Sequence, residues 1–447
     1  MLKEIYVNNF KSLKDIKVTF SNFNVIVGRN GSGKTNFIEL FKFIKNVLIE
    51  EKRPYMPYAD WWSYDNIVWK GHTELPIKVG LRMDILGYDV FYEFVFGVVS
   101  GVSQIIEERL IVDNVLFMKR EGNLLKVSHD KNFIKLNAKK IKKILKSREI
   151  KSLSYVLEQT LSLPKDFTNI LNIFRIYGSL SGGEAESDLS MTFATPMFQQ
   201  KTPIVIILPR KGKYHLSTKD AEAKRFIDLD FPFAFLLLLE TREAIEHFTI
   251  LRHPNMREAK APTTPRKEEI LSEDSSNLNN ILYYWFLEKG GKLPERIEKA
   301  ISILFPNIRV QPSLTSEGKV FLKVFENRTE LNPPCIPDGL YKILAMLSAI
   351  ELKPSLLAID EIENSLYAEA LEYVIDELRN SGVTVIITTH SPVVVDMVKL
   401  EELFISEMTP EGTVFRKIKN PEKVREKLRE LKLTQSESWI HEALPLE

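Results

Sequence analysis

Two observations predict an α/β fold built around a mainly parallel β-sheet. First, an apolar run at 23–27 is followed by a glycine-rich loop and then by a helical pattern. Second, short apolar runs at 356–359 and 383–388 enclose a segment whose apolar residues recur every three or four positions. Short buried strands that alternate with helices are typical of parallel sheets, whose two faces are covered by those helices.

The loop after the first of these strands has the spacing of a phosphate-binding loop. It matches G-x-x-x-x-G-K-[ST] in full with the residues Gly28, Arg29, Asn30, Gly31, Ser32, Gly33, Lys34 and Thr35. Glycines let the backbone direct N–H groups at phosphate oxygens, and the N-terminus of the next helix adds positive potential. Lys34 would contact the β- and γ-phosphates of a nucleotide, and Thr35 would bind Mg²⁺. A glycine-rich turn that binds nothing is the alternative, which the strand before the loop and the helix after it disfavour.

Two acids and a histidine follow the later strands. Asp360 comes at the end of the run 356–359 and is placed to hold Mg²⁺ beside Thr35, while Glu361 is placed to accept a proton from an attacking water. A solvated acidic turn is the alternative for this pair, and the phosphate-binding loop disfavours it. His390 follows the next strand at the edge where ligands bind in such sheets, so we expect it to contact the γ-phosphate or orient the water.

Alternation of apolar and polar residues predicts an antiparallel hairpin within 77–96, with Gly87 at its turn. The fold class is therefore an α/β P-loop NTPase with an antiparallel β-subdomain and a largely helical insertion. We expect four segments: the N-terminal part of the nucleotide-binding domain (1–50), the β-subdomain (51–128), the insertion (129–278) and the C-terminal part of the nucleotide-binding domain (279–447).

The composition is that of an ordinary globular protein. The 447 residues are 44% hydrophobic and 27% charged, and the net charge of +1 provides no overall field for nucleic acid or membrane, so such contacts would need local patches. The single cysteine, Cys335, excludes an internal disulfide and a zinc cluster of thiolates, and we expect it to be buried. The longest apolar run, 231–239, is too short to span a bilayer, and the charged N-terminus does not have the pattern of a signal peptide, so we expect a cytoplasmic protein.

Several blocks resemble the ABC-type ATPases of the RecF, SMC and OLD (overcoming lysogenization defect) group, often described as AAA domains. They are the phosphate-binding loop with Asn36 after it, the pair Asp360–Glu361, the turn 388–391, and the segments 5–13 and 274–278. The resemblance covers roughly 1–50 and 270–400 and implies a head formed by two lobes. It also implies ATP and Mg²⁺ as ligands, and a homodimer that encloses two ATP molecules, in which each copy completes its partner's site with a signature loop.

Two segments compete for the role of that signature loop. Residues 181–184 match the ABC signature sequence more closely. Asp338 and Gly339, however, open the helix that leads directly into the run 356–359, and this position favours them. Pro337 stands where the group usually has serine, which removes a hydroxyl and a backbone N–H from this loop. The group often has a glutamine after the phosphate-binding loop, and none occurs between Asn36 and Ser103; Asp65 or Asn66 is the alternative.

The resemblance implies a dimerising head whose ATP hydrolysis drives a nucleic-acid or partner-protein transaction in DNA repair or defence. The alternative is a nucleotide-gated interaction protein with negligible turnover that regulates a separately encoded effector such as a nuclease. The segment after His390 is too short for a TOPRIM nuclease domain, and no long heptad array is present. The basic run 139–148 is either a contact for the phosphates of DNA or RNA or a solvated helix face.

Overall fold

The computed structural model describes residues 1–49, 56–99, 101–121, 124–127, 131–147, 189–192, 209–210, 213–214, 231–252 and 254–441. The chain separates into two compact units. The first unit comprises Met1–Leu2, Ser12–Lys42 and His247–Glu447, and the second comprises Lys3–Lys11 and Phe43–Glu246. Each unit therefore contains segments that lie far apart in the sequence.

The strands, in chain order, are β1 (Leu2–Phe10), β2 (Leu13–Thr19), β3 (Phe23–Val27), β4 (Ile77–Ile85), β5 (Tyr88–Val99), β6 (Val102–Val112), β7 (Val115–Glu121), β8 (Leu124–Val127), β9 (Leu189–Thr192), β10 (Pro209–Arg210), β11 (Lys213–Tyr214), β12 (Phe248–Leu251), β13 (Ile308–Leu314), β14 (Val320–Glu326), β15 (Thr329–Leu331), β16 (Leu356–Ile359), β17 (Val385–Thr389), β18 (Leu403–Thr409) and β19 (Gly412–Lys417). The described α-helices are numbered here α1 (Lys34–Leu48), α2 (Lys131–Ser147), α3 (Phe231–Glu246), α4 (Met256–Lys260), α5 (Leu278–Glu288), α6 (Glu295–Leu304), α7 (Asp338–Glu351), α8 (Ala368–Arg379), α9 (Pro392–Met397), α10 (Pro421–Leu431) and α11 (Gln435–Ile440).

The first unit contains the predicted parallel sheet, in the order β12-β16-β17-β3-β18-β19. The pairs from β12 to β18 are parallel, with Leu357 opposite Val385 and Val385 opposite Phe23, and β19 adds an antiparallel edge. Since β17 lies between β3 and β16, the carboxyl ends of these three strands meet at one edge of the sheet. The predicted fold class is confirmed, and this edge receives the glycine-rich loop, the acidic pair and the histidine.

Helix α7 forms the centre of the core of the first unit. Every residue from Leu340 to Ile350 is buried, and the apolar side chains among them join Val25, Leu357 and Val385 of the sheet in one cluster. On α1, Phe37 packs against Phe415 and Phe41 packs against Phe248. Burial of this many large apolar side chains is the main stabilising contribution to the unit.

The second unit contains an antiparallel sheet in which β1, β4, β5, β6, β7, β8 and β9 are neighbours in that order. The predicted hairpin within 77–96 is confirmed, because Ile85 pairs with Tyr88 across a two-residue turn. Both turn residues, Leu86 and Gly87, have positive φ, at 54° and 74°. This is the conformation of a type I′ turn, which matches the twist of the two strands.

The two compact units differ from the predicted segments near the end of the insertion. Residues from His247 onward, including β12 and α4, belong to the first unit, although the sequence placed 129–278 in the insertion. A buried parallel strand shows no alternation of polar and apolar residues, so β12 could not be distinguished from the apolar helix α3 before it.

The structure also places Cys335 and the apolar run 231–239. Cys335 is exposed, in the short 3-10 turn Pro333–Cys335, so the expectation that it is buried was wrong. Pro333 and Pro334, whose φ is fixed, favour this turn, and the next residue, Ile336, is buried in place of Cys335. Within the described part of the chain, no helix is long and apolar enough to cross a membrane, and the run 231–239 lies in α3.

Candidate nucleotide-binding and catalytic site

The backbone of the phosphate-binding loop requires its glycines. Gly31 and Gly33 have φ of 80° and 95°, a region that favours glycine, and Lys34 begins α1 directly after them. A Cβ atom at Gly28 would lie 2.5 Å from the carbonyl oxygen of Ser406, and one at Gly33 would lie 1.9 Å from Thr413 Oγ1. The loop therefore has the conformation that a phosphate cradle needs, and β18 and β19 pack closely against it.

Side chains from three segments support the loop from outside. Ser406 Oγ donates a hydrogen bond to the Ser32 carbonyl at 2.8 Å. Asn36 Nδ2 donates to Ser12 Oγ at 2.7 Å, and Ser12 Oγ is in turn 2.7 Å from Thr413 Oγ1. Asn36, predicted as a nucleotide contact, thus supports the loop through Ser12 in this structure.

Lys34 is buried beneath the loop. Its Nζ donates to the carbonyl oxygens of Gly28 at 2.7 Å and Arg29 at 3.0 Å. Burial lowers the pKa of this lysine, while the negative charges of Asp360, Glu361 and Glu363 act in the opposite direction. The same ammonium therefore interacts electrostatically with the three acids that follow β16.

The loop is open on its outer side. A cavity of about 670 Å³ is lined by residues 28–32, 405–408, Arg416 and Trp439. This volume is in the range of small-molecule pockets. The cavity therefore adjoins the first five residues of the phosphate-binding loop.

Asp360 has one satisfied and one unsatisfied carboxylate oxygen. Oδ1 accepts a hydrogen bond of 2.6 Å from Thr388 Oγ1. Oδ2 is buried, has no hydrogen-bond partner among the described residues, and lies 3.5 Å from Arg252 Nε. A carboxylate oxygen that accepts no hydrogen bond is a suitable ligand for a hard cation such as Mg²⁺, and the Thr35 hydroxyl is the second protein ligand that the sequence predicts.

The described residues contain no group of three or more His, Cys, Asp or Glu side chains that could hold a metal ion. Mg²⁺ commonly binds through one or two protein oxygens, substrate phosphates and water. The predicted pair of Asp360 and Thr35 is the number of protein ligands that this mode requires.

Glu361 lies in a strained conformation directly after Asp360. Its φ is 50°, and its backbone N–H donates to Thr388 Oγ1 at 2.9 Å. Its carboxylate accepts a hydrogen bond of 2.7 Å from Asn364 Nδ2, and the other oxygen is 3.9 Å from His390 Nδ1. Left-handed backbone in a residue with a side chain is uncommon and concentrates at functional sites.

Glu363 is a site residue that the sequence analysis missed. Its Oε1 accepts a hydrogen bond of 2.9 Å from the backbone N–H of His390 and lies 3.1 Å from His390 Nδ1. The second oxygen is buried and has no hydrogen-bond partner in the described structure. The sequence did indicate it, because Glu363 is the third acid in the loop that begins with Asp360 and Glu361.

Arg252 was also missed. It follows β12, which pairs with β16, and this pairing places it beside Asp360. Its guanidinium contacts Glu39 Oε1 at 2.9 Å and Glu273 Oε1 at 3.6 Å, and Glu273 also pairs with Lys42 at 2.8 Å. Asp65 and Asn66, the predicted alternatives to the glutamine, belong to the second unit.

The candidate signature loop opens α7 as predicted. Asp338 is the first residue of the helix and pairs with Lys260 Nζ at 2.5 Å, and Pro337 before it provides no side-chain cap. A Cβ atom at Gly339 would lie 2.8 Å from the carbonyl oxygen of Ser365, so the start of α7 packs tightly against the loop after Glu361. The competing segment, 181–184, lies outside the described residues.

The sheet order, the glycine-rich loop and the acids at the strand ends define a P-loop nucleotide-binding protein. A family model described as "AAA ATPase domain" matches residues 1–283, and one described as "AAA domain, putative AbiEii toxin, Type IV TA system" matches residues 206–396. Since the first match spans more than half of the 447 residues, the chain belongs to the AAA ATPase domain family. The resemblance to the ABC-type group is therefore confirmed at the level of the domain family.

Solved structures of SMC heads are also similar to this chain. A SmcHead bound to the C-winged helix domain of ScpA is 11% identical with a TM-score of 0.48, and the match covers 93% of this chain and 97% of that chain. A head bound to the C-terminal domain of ScpA from Pyrococcus furiosus is 12% identical with a TM-score of 0.45, covering 96% and 99%. The SMC head domain from Thermotoga maritima is 12% identical with a TM-score of 0.40, covering 94% and 99%. A comparison with curated proteins gives no match.

Proposed function

We propose that this protein binds ATP with Mg²⁺ at residues 28–36 and hydrolyses it. The observation that carries the proposal is the buried Asp360 Oδ2, which lies 3.5 Å from Arg252 Nε but accepts no hydrogen bond among the described residues. Leaving such an oxygen unsatisfied is costly, and a bound cation would satisfy it. Membership of the AAA ATPase domain family supports the assignment of a nucleotide ligand.

Each residue of the site has a separate role in the proposed reaction. Lys34 leaves its loop carbonyls to neutralise the β- and γ-phosphates. Thr35 and Asp360 would hold Mg²⁺, which would supply positive charge to the phosphate oxygens. Glu361 accepts a proton from the water whose oxygen bonds to the γ-phosphorus, while the bond from that phosphorus to the bridging oxygen breaks and ADP leaves.

His390 has a positioning role in this proposal. Glu363 fixes its backbone N–H, so the ring, whose side chain is 44% exposed, remains at the edge that receives the γ-phosphate. A donor held there would bind the phosphate oxygens as their charge increases in the transition state.

The direct test is calorimetric titration of the purified protein with ATP in the presence of Mg²⁺, followed by measurement of phosphate release. We expect saturable binding that weakens when Mg²⁺ is chelated, together with steady-state release of phosphate. If neither binding nor release occurs, the proposed function is wrong. Binding without release would favour the alternative function considered below.

We also propose that ATP joins two copies of the chain, with the start of α7 from each copy facing the nucleotide of the other. Asp338 has a side chain that is 52% exposed, and the helix N-terminus carries positive potential suited to a phosphate. The resemblance to ABC-type heads supports this arrangement. The family model that carries the toxin description supports a role in defence, with DNA repair as the other candidate.

The alternative is a nucleotide-gated interaction protein with negligible turnover that regulates a separately encoded effector such as a nuclease. Pro337 favours it, because this residue has no hydroxyl and no N–H to offer to the γ-phosphate of a partner copy. In this alternative, ATP binding sets the dimeric state, and hydrolysis is too slow to drive a transaction.

Nucleic acid is the proposed partner for the basic helix α2. Lys139, Lys142 and Lys143 are exposed and lie three and four positions apart, on one face of the helix. By contrast, Lys140 Nζ donates to the Gly87 carbonyl at 2.9 Å and lies 3.7 Å from the ring centroid of Tyr88. Among the described lysine side chains of α2, three are therefore available for phosphates, and Lys140 is held by the protein.

Replacing Lys139, Lys142 and Lys143 with alanine should weaken binding to DNA or RNA and flatten its salt dependence. The slope of log K against log salt should decrease by about 0.9 for each lost contact with duplex DNA. The measurement is fluorescence anisotropy with duplex and single-stranded oligonucleotides between about 50 and 200 mM salt. Lys140→Ala is the matched control and should leave the slope unchanged. If the triple variant has the slope of the wild type, α2 is a solvated face.

A further inference from the structure

Lys342 is an unusual residue for its position. It lies in the first turns of α7 and is the one charged residue between Leu340 and Ile350, all of which are buried. Its own exposure is 5%, and burial lowers its pKa to about 8. A lysine is rarely buried without compensating contacts, so its contacts indicate why it is there.

The ammonium of Lys342 contacts the loop that carries the predicted catalytic base. Nζ donates to the carbonyl oxygen of Asn364 at 2.6 Å and to that of Glu361 at 3.2 Å. The nearby charges of Glu363 and Glu361 favour its protonated form. One cation thus joins the two ends of the segment 361–364 and lies close to both of its carboxylates.

This segment needs such support. Glu361 and Ser365 have φ of 50° and 63°, so two residues with side chains adopt left-handed backbone within five positions. Strained backbone persists only where surrounding contacts enforce it. Gly339, which is also on α7, packs against the carbonyl oxygen of Ser365, so α7 supports the loop at two points.

We propose that Lys342 is a positioning residue for ATP hydrolysis, because it fixes the loop 361–364 and with it the carboxylates of Glu361 and Glu363. Glu361 faces the attacking water in the proposed reaction, and Glu363 holds His390. The inference rests on the proposed function, since it assigns a role within the hydrolysis step. Lys342 contacts neither the phosphate-binding loop nor Asp360 in any hydrogen bond of the described structure, so nucleotide affinity should not depend on it.

The test is Lys342→Met, which keeps the length and the apolar stem of the side chain and removes the ammonium. We expect kcat to decrease at least tenfold, while KM and the calorimetric affinity for ATP with Mg²⁺ remain within about twofold of the wild type. Hydrogen exchange should increase in 361–365 and remain unchanged in 28–36. Ser348→Ala is the matched control, because Ser348 is buried in the same helix and its Oγ has no hydrogen-bond partner in the described residues.

The outcomes separate the inference from the proposed function. If the wild type hydrolyses ATP and Lys342→Met has the same kcat, the inference is overturned and the proposed function stands. If kcat falls and KM rises together, Lys342 has a general structural role and the inference also fails. A wild type that neither binds nor hydrolyses ATP contradicts the proposed function itself. Should Lys342→Met not fold, Lys342→Arg is measured instead: protection of 361–365 and a kcat near that of the wild type support the inference, and loss of affinity for ATP overturns it.

Discussion

Glu361→Gln should reduce steady-state phosphate release by about two to four orders of magnitude, the range expected for removal of a general base. Glutamine has nearly the same shape, and its amide oxygen can still accept the hydrogen bond from Asn364 Nδ2 at 2.7 Å. The loop should therefore keep its conformation, while the proton acceptor is lost. Phosphate release under saturating ATP and Mg²⁺ measures the effect, and calorimetry should give an affinity for ATP close to that of the wild type.

The same variant separates the two candidate functions. If hydrolysis normally dissociates an ATP-bound dimer, the Glu361→Gln variant should accumulate dimers. Light scattering should detect these dimers for as long as ATP is present. A nucleotide-gated protein with negligible turnover should show the same dimer population before and after the substitution. Glu369→Gln, an exposed position at the start of α8, is the matched control. Phosphate release equal to that of the wild type would show that Glu361 is not the base.

The sequence predicted the parts of this site that are contiguous in the chain. The residues 28–35 follow a strand and open a helix, and Asp360, Glu361 and His390 end strands of the same sheet. Strand ends can be predicted because short apolar runs mark them, and parallel strands place their carboxyl ends at one edge. The roles of these residues in binding and hydrolysis remain predictions.

Residues that reach the site through pairing or loop geometry could not be predicted in the same way. Arg252 is beside Asp360 only because β12 pairs with β16, and nothing local to 247–252 indicates which strand is its neighbour. Lys342 appears in the sequence as a break in an apolar helix, which normally indicates a solvated face. Its role becomes visible only once the left-handed loop at Glu361 is known.

Lys34→Ala should have the largest effect on nucleotide binding. A hydrogen bond to a charged group contributes about 1.5–3 kcal/mol, so losing contacts with two phosphates corresponds to a decrease in affinity of at least about a hundredfold. Calorimetry with ATP and Mg²⁺ measures this decrease. The free protein should be little destabilised, because burial already disfavours the charged form of Lys34, as the lowered pKa shows.

Lys14→Ala is the matched control for Lys34→Ala, since Lys14 is in the same unit, is 44% exposed and forms a surface ion pair with Glu411 at 2.9 Å. An exposed ion pair contributes little, so this control should bind ATP as the wild type does. Unchanged affinity in Lys34→Ala would mean that the nucleotide does not lie over the loop. The attraction between Lys34 and the carboxylates of Asp360, Glu361 and Glu363 would then serve the fold and not a ligand. Loss of affinity with an unchanged melting temperature has the opposite meaning, because it shows that the ammonium is held under the loop at Gly28 and Arg29 for the ligand and not for the fold.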